Sequence, residues 1–506
     1  MVQGSTGLRF LRSHFVVLIS TLALACGPGS EEPRPTLSRS ALESEALDEE
    51  AEPLGAKETF RSKCPTAANA TGPTLHVANK GPRNPSEPLG SSSNPFPTIM
   101  DAVTAALPGT VIQVRAGTYS EQLTINALKA RPGTATAPIV LRGEQPTRPR
   151  IVPSGTDVGS LLVLSQPYWI VESLDIDVQG RPSFGALFEG TTRCSQLSDS
   201  MLHGGRAGGG VVVSDANTVL IEGNEIHDFS RTGQDSHGVA VKGTSRQVYL
   251  VENTIHDASG DAVQCQPSDG RPTELFIEHN QMYDCGENGI DVKACDNLAI
   301  TSNVLFRFPN LVRFPWQATT SAAEAILVHE DATNIEIAGN LIFMAGRGIS
   351  VGGLAPVDNP VNVVIRGNMV MDIYNFANRG NGQGIRVAKA RGVRVVGNHI
   401  ERTADSGLRL AADEPLVVSD MSVFDNTLRD MTSFVKLGRA TARPGLKMDR
   451  NRYEGITGKF SAFGLVSEGE FDVWRSKLQQ HGLEQGSVRV LSGSGAPLPL
   501  PALLGK

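Results

Sequence analysis

An asparagine returns along this chain in one setting, at the close of a short alternating run of apolar residues. The series is Asn224, Asn253, Asn280, Asn303, Asn340, Asn368, Asn398, Asn426 and Asn451, with gaps of 29, 27, 23, 37, 28, 30, 28 and 25 residues. The runs read Val219-Leu-Ile-Glu-Gly-Asn224, Tyr249-Leu-Val-Glu-Asn253, Ile335-Glu-Ile-Ala-Gly-Asn340 and Val393-Arg-Val-Val-Gly-Asn398. A period of roughly 20 to 50 residues means stacked units, because one unit cannot bury its apolar face alone. These units carry strand and turn patterns without helical spacing, which predicts a solenoid of β-coils.

A second run precedes each Asn run, as in Gly238-Val-Ala-Val-Lys242, Gly289-Ile-Asp-Val-Lys293, Ala325-Ile-Leu-Val-His329 and Gly384-Ile-Arg-Val-Ala388. Side chains alternate along a strand, so the first and third apolar residues face inward and the intervening ones outward. Equivalent residues of neighbouring coils then stack at about 4.8 Å. The Asn amide both donates and accepts, so stacked Asn side chains are expected to bond the turn backbone of the next coil. The 53 glycines and the 5% aromatic content agree with a turn-rich chain.

This pattern resembles the right-handed parallel β-helix, the pectate-lyase-like fold, from about Leu75 to Asn451. The opening segments Leu75-His-Val-Ala-Asn-Lys-Gly, Asn94-Pro-Phe-Pro-Thr-Ile-Met-Asp-Ala-Val and Pro108 to Tyr119 are similar to the start of secreted β-helix polysaccharide lyases. The fold class expected is therefore all-β, a single-stranded right-handed parallel β-helix of about ten or more coils. Thr98 to Leu107 reads as a short amphipathic cap helix, and Phe471 through Leu478 as a helical cap at the other end.

Residues 1–26 read as a signal peptide, with Arg9 and Arg12 before the apolar run Phe15 to Ala25. Leu22-Ala-Leu-Ala-Cys26 resembles a bacterial lipobox, which makes Cys26 the lipidation candidate and a lipid anchor the one expected membrane contact. Residues 27–70 read as an acidic tether, since residues 31–58 hold nine acids against three bases. Residues 71–160 are expected to form the cap and first coils, 161–452 the β-helix, and 453–506 the closing cap and tail. Localisation is expected to be secreted or at the outer surface of a bacterium, as a monomer. No Lys/Arg stripe marks a nucleic-acid binder. Beyond Cys26 stand Cys64, Cys194, Cys265, Cys285 and Cys295, whose pairing the sequence leaves open.

Aligning the strands places titratable residues in outward columns. One reads Ala240, Gln264, Asp291, Leu327; the next reads Lys242, Gln266, Lys293, His329; the preceding turn reads His237, Asp261, Asn288, Glu324. Asp261, Glu287, Asn288 and Asp291 gather hard oxygen donors from two coils, a donor set suited to Ca²⁺. Gly260-Asp-Ala-Val-Gln-Cys-Gln266 with Glu287-Asn-Gly-Ile-Asp291 resembles the calcium cluster of family 9 polysaccharide lyases. Leu327 stands where that family has its Lys base. Asn288 to Asn297 resembles the Glu-x-Ile-x-x-Lys-Ser stretch of family 6 lyases, with Lys293 at the position of the base. His329 falls near that family's Arg-His-Gly.

The resemblance implies calcium-dependent β-elimination on an acidic, uronate-containing polysaccharide. In it, Lys293 and His329 are the catalytic candidates, and Lys242, Gln266 and Arg386 bind further along the polymer. Arg313 and Trp316, in the long Phe306 to Ala323 segment, are expected to wall the groove. Two alternatives stand beside it: a two-carboxylate glycoside hydrolase using Asp261 and Asp291, and a non-catalytic carbohydrate-binding or envelope protein.

Overall fold

The computed structural model describes residues 55–155, 159–321 and 323–491. The signal peptide, Cys26 and most of the acidic tether lie outside the described residues, as does the stretch 492–506. Three long sheets, of 15, 14 and 14 strands, run the length of the described chain. Each coil contributes one strand to each sheet, and every strand pair but one is parallel.

The two expected strands per coil are present, together with a third that the alternating pattern does not announce. The runs preceding each Asn run form one sheet, from Gly209–Ser214 through Glu324–His329 to Ser406–Leu410. This is the site sheet. The Asn runs form a second, the ladder sheet. Strands of three to five residues, such as Glu225–His227 and Val304–Phe308, follow each Asn and form the third. They are too short to show a period of two on their own.

The inward column of the site sheet reads Val239, Val263, Ile290, Ile326, Ile349, Ile385, Leu408 and Val435, in unbroken register and wholly buried. β-branched side chains dominate because they fit a pleated surface packed from both sides. The Asn column forms a continuous ladder. Asn303 Nδ2 donates to Asn340 Oδ1 at 3.0 Å, and Asn340 Nδ2 to Asn368 Oδ1 at 2.9 Å and to the Ile300 carbonyl at 2.9 Å. Each amide oxygen also accepts a backbone N–H from the preceding ladder residue.

The residue before every ladder Asn has left-handed φ, from 55° to 64°. That turn swings the chain from the ladder sheet into the third sheet. Gly supplies it without strain at Gly339 and Gly367, and the stacked amides hold it at Glu252 and His279.

The cap helix forms over Ile99–Ala105, started by the Thr98 hydroxyl, which accepts the Asp101 N–H at 3.1 Å. The closing helix is Phe471–Gln479, with Phe471, Trp474 and Leu478 buried over the last coil. Residues 55–70 depart from the expected tether. Helix Ala56–Arg61 packs Phe60 edge-on against Tyr249, 5.5 Å between centroids, and Cys64 is bridged to Cys194. Acidic composition hid this, because the docking rests on only a few apolar residues.

A second disulfide joins Cys265 to Cys295, and Cys285 is a buried free thiol. No helix of the described residues is long and apolar enough to cross a membrane.

Candidate functional site

The outward column Ala240, Gln264, Asp291, Leu327 is reproduced in register, and of the next column Lys293 pairs with His329. The strand alternation aims these side chains away from the core. Asp291, 3% exposed, is held by both neighbours in the Lys293 column. Its Oδ1 accepts from His329 Nε2 at 3.0 Å and its Oδ2 from Lys293 Nζ at 3.1 Å. His329 Nδ1 faces Asp358 Oδ1 at 3.5 Å.

The charges act on one another. Burial works to raise the Asp291 carboxyl, but the His329 hydrogen bond and the Lys293 charge outweigh it and hold it below the usual range. Burial works to lower Lys293, and the Asp291 and Asp261 carboxylates overcome it, so its pKa is raised. His329 is raised in the same way, with Asp291 outweighing burial. Glu287 is pushed up to about 9 by burial and by the charges of Asp261, Asp235 and Asp291. Burial also raises Asp261.

The four calcium candidates are neighbours, but the side-chain oxygens of Asp261, Asn288 and Asp291 are already engaged. Asp261 Oδ1 accepts from the Asn288 N–H at 3.1 Å and from Asn288 Nδ2 at 3.0 Å. Its Oδ2 accepts from Gln264 Nε2 at 3.0 Å and lies 3.1 Å from His237 Nδ1. Asn288 Oδ1 accepts the Glu324 N–H at 2.9 Å. Both Asp291 oxygens are taken by Lys293 and His329. Among the described residues no group of three or more His, Cys, Asp or Glu side chains is placed to hold a metal ion. As arranged, Asp261, Glu287, Asn288 and Asp291 do not fit Ca²⁺. Asn288 instead continues a hydrogen-bonded rail along the sheet edge, as the ladder asparagines do on another.

Next to the Asp291 cluster lies a cleft of about 290 Å³, lined by Glu324, Leu327, His329, Arg347, Arg379 and Arg386 among others. His329 and Arg386 were expected here; Arg347 and Arg379 were not singled out. Arg347 follows Glu324 in the turn column one coil further on, so extending that column finds it. Arg379 sits in an irregular stretch after the short helical turn Phe376–Asn378, where no register argument reaches. Arg386 is 7% exposed, pinned by Asp413 at 3.0 Å and by Ser350 Oγ and the Gly352 carbonyl, each at 3.3 Å.

Lys242 ends the strand His237–Lys242, Gln266 lies just past the strand Val263–Cys265, and neither is among the residues lining the cleft. Arg313 does not wall it either. Its guanidinium pairs with Asp228 and Asp257, the latter at 2.7 Å. Gln317 Nε2 donates to Asp235 Oδ1 at 2.9 Å and to the Ser259 carbonyl at 2.8 Å. The long segment thus folds back over the earlier coils, beside Asp235 and Glu287.

Comparison with known proteins agrees with this architecture. Residues 184–359 match the family model described as right handed beta helix region. A mannuronic acid specific polysaccharide family 6 lyase from human gut microbiota superposes with a TM-score of 0.51 at 13% identity, over 84% of this chain and 92% of that one. A tailspike protein of E. coli bacteriophage HK620 gives 0.51 at 10%, over 74% and 71%. Pectate lyase Pel9A gives 0.39 at 14%, over 84% and 82%. No curated protein matches the sequence. At these identities the likeness is one of fold, and the described chain is a right-handed parallel β-helix whose residues 184–359 match that region's family model.

Proposed function

We propose that this protein acts outside the cytoplasm on an acidic, uronate-containing polysaccharide, cleaving it by β-elimination. The observation that carries the reading is the cleft itself, in which Arg347, Arg379 and Arg386 converge beside His329, one coil from the Asp291–Lys293 pair. Guanidinium groups suit carboxylates, and neutralising a uronate carboxylate acidifies the proton on C5. Two disulfides fit an oxidising compartment.

In the proposed reaction Arg379 pairs with the carboxylate, the charges of Arg347 and Arg386 add to the positive field of the cleft, and His329, which lines the cleft, takes the C5 proton. The C5–H electron pair becomes the C4=C5 double bond, the C4–O bond breaks, and the departing oxygen takes a proton from the Lys293 ammonium. Asp291 orients both groups. The step is written without a metal ion, because the arginines supply the positive charge.

The test is an assay of pectate, alginate and glycosaminoglycans for the ultraviolet absorbance of an unsaturated uronate product. Turnover is expected with and without chelator, and His329→Ala is expected to lower it by about 10²–10⁴-fold. Because Asp291 raises His329 above its usual 6.5, activity should climb with pH through a limb above that value. Reducing ends without unsaturation would overturn the lyase reading in favour of hydrolysis. Carboxylates facing both ring nitrogens of His329 favour a second reading, binding without cleavage; intact oligosaccharide bound at the cleft would establish it.

A further inference from the structure

A residue that lines the cleft carries one polar atom that the fold leaves without a partner. Glu324 opens its strand, is 2% exposed, and lines the cleft. Its Oε1 accepts from Arg347 Nη1 at 2.6 Å. Its Oε2 is buried with no hydrogen-bond partner among the described residues. An acceptor left unsatisfied in this way costs roughly 1–3 kcal/mol, and more when it is charged.

The surroundings explain why the side chain cannot turn to find a donor. Arg347 holds the first oxygen and is itself fixed by donating from Nε to Gln383 Oε1 at 2.7 Å. Gln383 Nε2 in turn donates to Asp405 Oδ2 at 2.8 Å. The carboxylate is therefore braced by residues of the next three coils, with one oxygen committed to the brace. At the cleft mouth Arg379 is exposed, gives one N–H to the Ser321 carbonyl at 2.6 Å, and has no carboxylate within ion-pair distance among the described residues. The lining of the cleft thus includes a fixed acceptor and a cation that no carboxylate neutralises among the described residues.

We infer that Glu324 is the specificity-determining residue of this cleft, its Oε2 accepting from a free ring hydroxyl of the same uronate unit whose carboxylate pairs with Arg379. This deepens the proposed function and rests on the cleft being a uronate site. It adds that the unit must carry an unsubstituted hydroxyl. A hydroxyl donates to a carboxylate; an O-acetyl ester has no proton to give and brings added bulk. The cleft therefore selects de-acetylated polymer.

The experiment compares de-acetylated and O-acetylated oligomannuronate and oligogalacturonate on the full protein, by kcat/KM where turnover occurs and by Kd where it does not. At least one free oligomer is expected to be preferred over its acetylated form by tenfold or more. In Glu324→Gln, Oε1 still accepts from Arg347 while Nε2 replaces the acceptor with a donor. That amide serves a hydroxyl and an ester oxygen alike, so the preference should collapse to within about twofold with the melting temperature unchanged. Arg379→Gln should weaken both forms equally and leave the preference intact. Equal use of free and acetylated oligomers by the wild-type protein overturns the inference while leaving the uronate reading standing. So does a preference that survives in Glu324→Gln. Binding of neutral oligosaccharides in place of uronates overturns both.

Discussion

Asp261, Glu287 and Asp291 place three carboxyl groups in one buried neighbourhood, and two outcomes separate them. Asp291 gains a lysine and a histidine and stays ionised. Glu287 is pushed up to about 9 by burial and the charges of Asp261, Asp235 and Asp291, which outweigh the Lys293 ammonium. A carboxyl raised in the folded state binds its proton more tightly there than in the unfolded chain. Its contribution is present below the ordinary 4.5 and is lost as pH rises towards 9. Glu287→Gln, which keeps the neutral shape, should therefore be near neutral at pH 5 and raise the melting temperature by a few degrees, roughly 2–4 °C, at pH 9. Calorimetry at the two pH values checks this; a gain at pH 5 as large as that at pH 9 would show that titration of Glu287 is not involved. The same carboxyl explains why a calcium set was attractive in the sequence. Spacing brings these acids together, but it does not show that Gln264, Asn288, Lys293 and His329 have already taken the oxygens of Asp261 and Asp291.

The element that organises the fold is the ladder of amides. Asn340 is 1% exposed, and its side-chain amide takes part in four hydrogen bonds along the ladder and strand, each at 2.9 or 3.0 Å. At about 1 kcal/mol net per bond, and with buried partners left unpaired, Asn340→Ala should cost roughly 2–4 kcal/mol. The exposed Asn334 bonds the amides of Asn297 and Asn362, and its change to Ala should cost only about 1 kcal/mol, mostly from its left-handed φ of 57°. Chemical denaturation of the two variants measures the difference, and equal costs would remove the ladder as the stabilising element. The asparagines, their interval and the strands before them were legible because they repeat. The third strand of each coil was not, because a stretch such as Glu225–His227 has one inward residue and no period. Its outward face carries a stack of rings, His203, His227, His256, Tyr283, Phe306 and Phe343, with centroids 4.8 to 5.1 Å apart. The sequence holds these residues about one coil apart, but only the register makes them a column.

Across the whole molecule each coil touches its neighbours, so a local change should stay local. The Cys64–Cys194 bridge closes a loop with sequence separation 130 and fastens residues 55–70 to the ladder sheet. Replacing both cysteines by Ser should cost roughly 2–4 kcal/mol, open residues 55–70 to limited proteolysis, and leave saccharide binding at the cleft unaltered. Lost binding in that variant would mean that the coils are coupled over a longer range than their contacts. The sequence by itself determined the solenoid, its period, the register of the site sheet and the approach of Asp291, Lys293 and His329, since each follows from a repeat whose side-chain alternation is fixed by backbone geometry. The tertiary structure alone decided which donors occupy the acidic oxygens, where the irregular segments carrying Arg313 and Arg379 fold, and that Glu324 keeps one oxygen facing no donor. Those outcomes depend on residues far apart in the chain meeting across coils, and no local pattern encodes such a meeting.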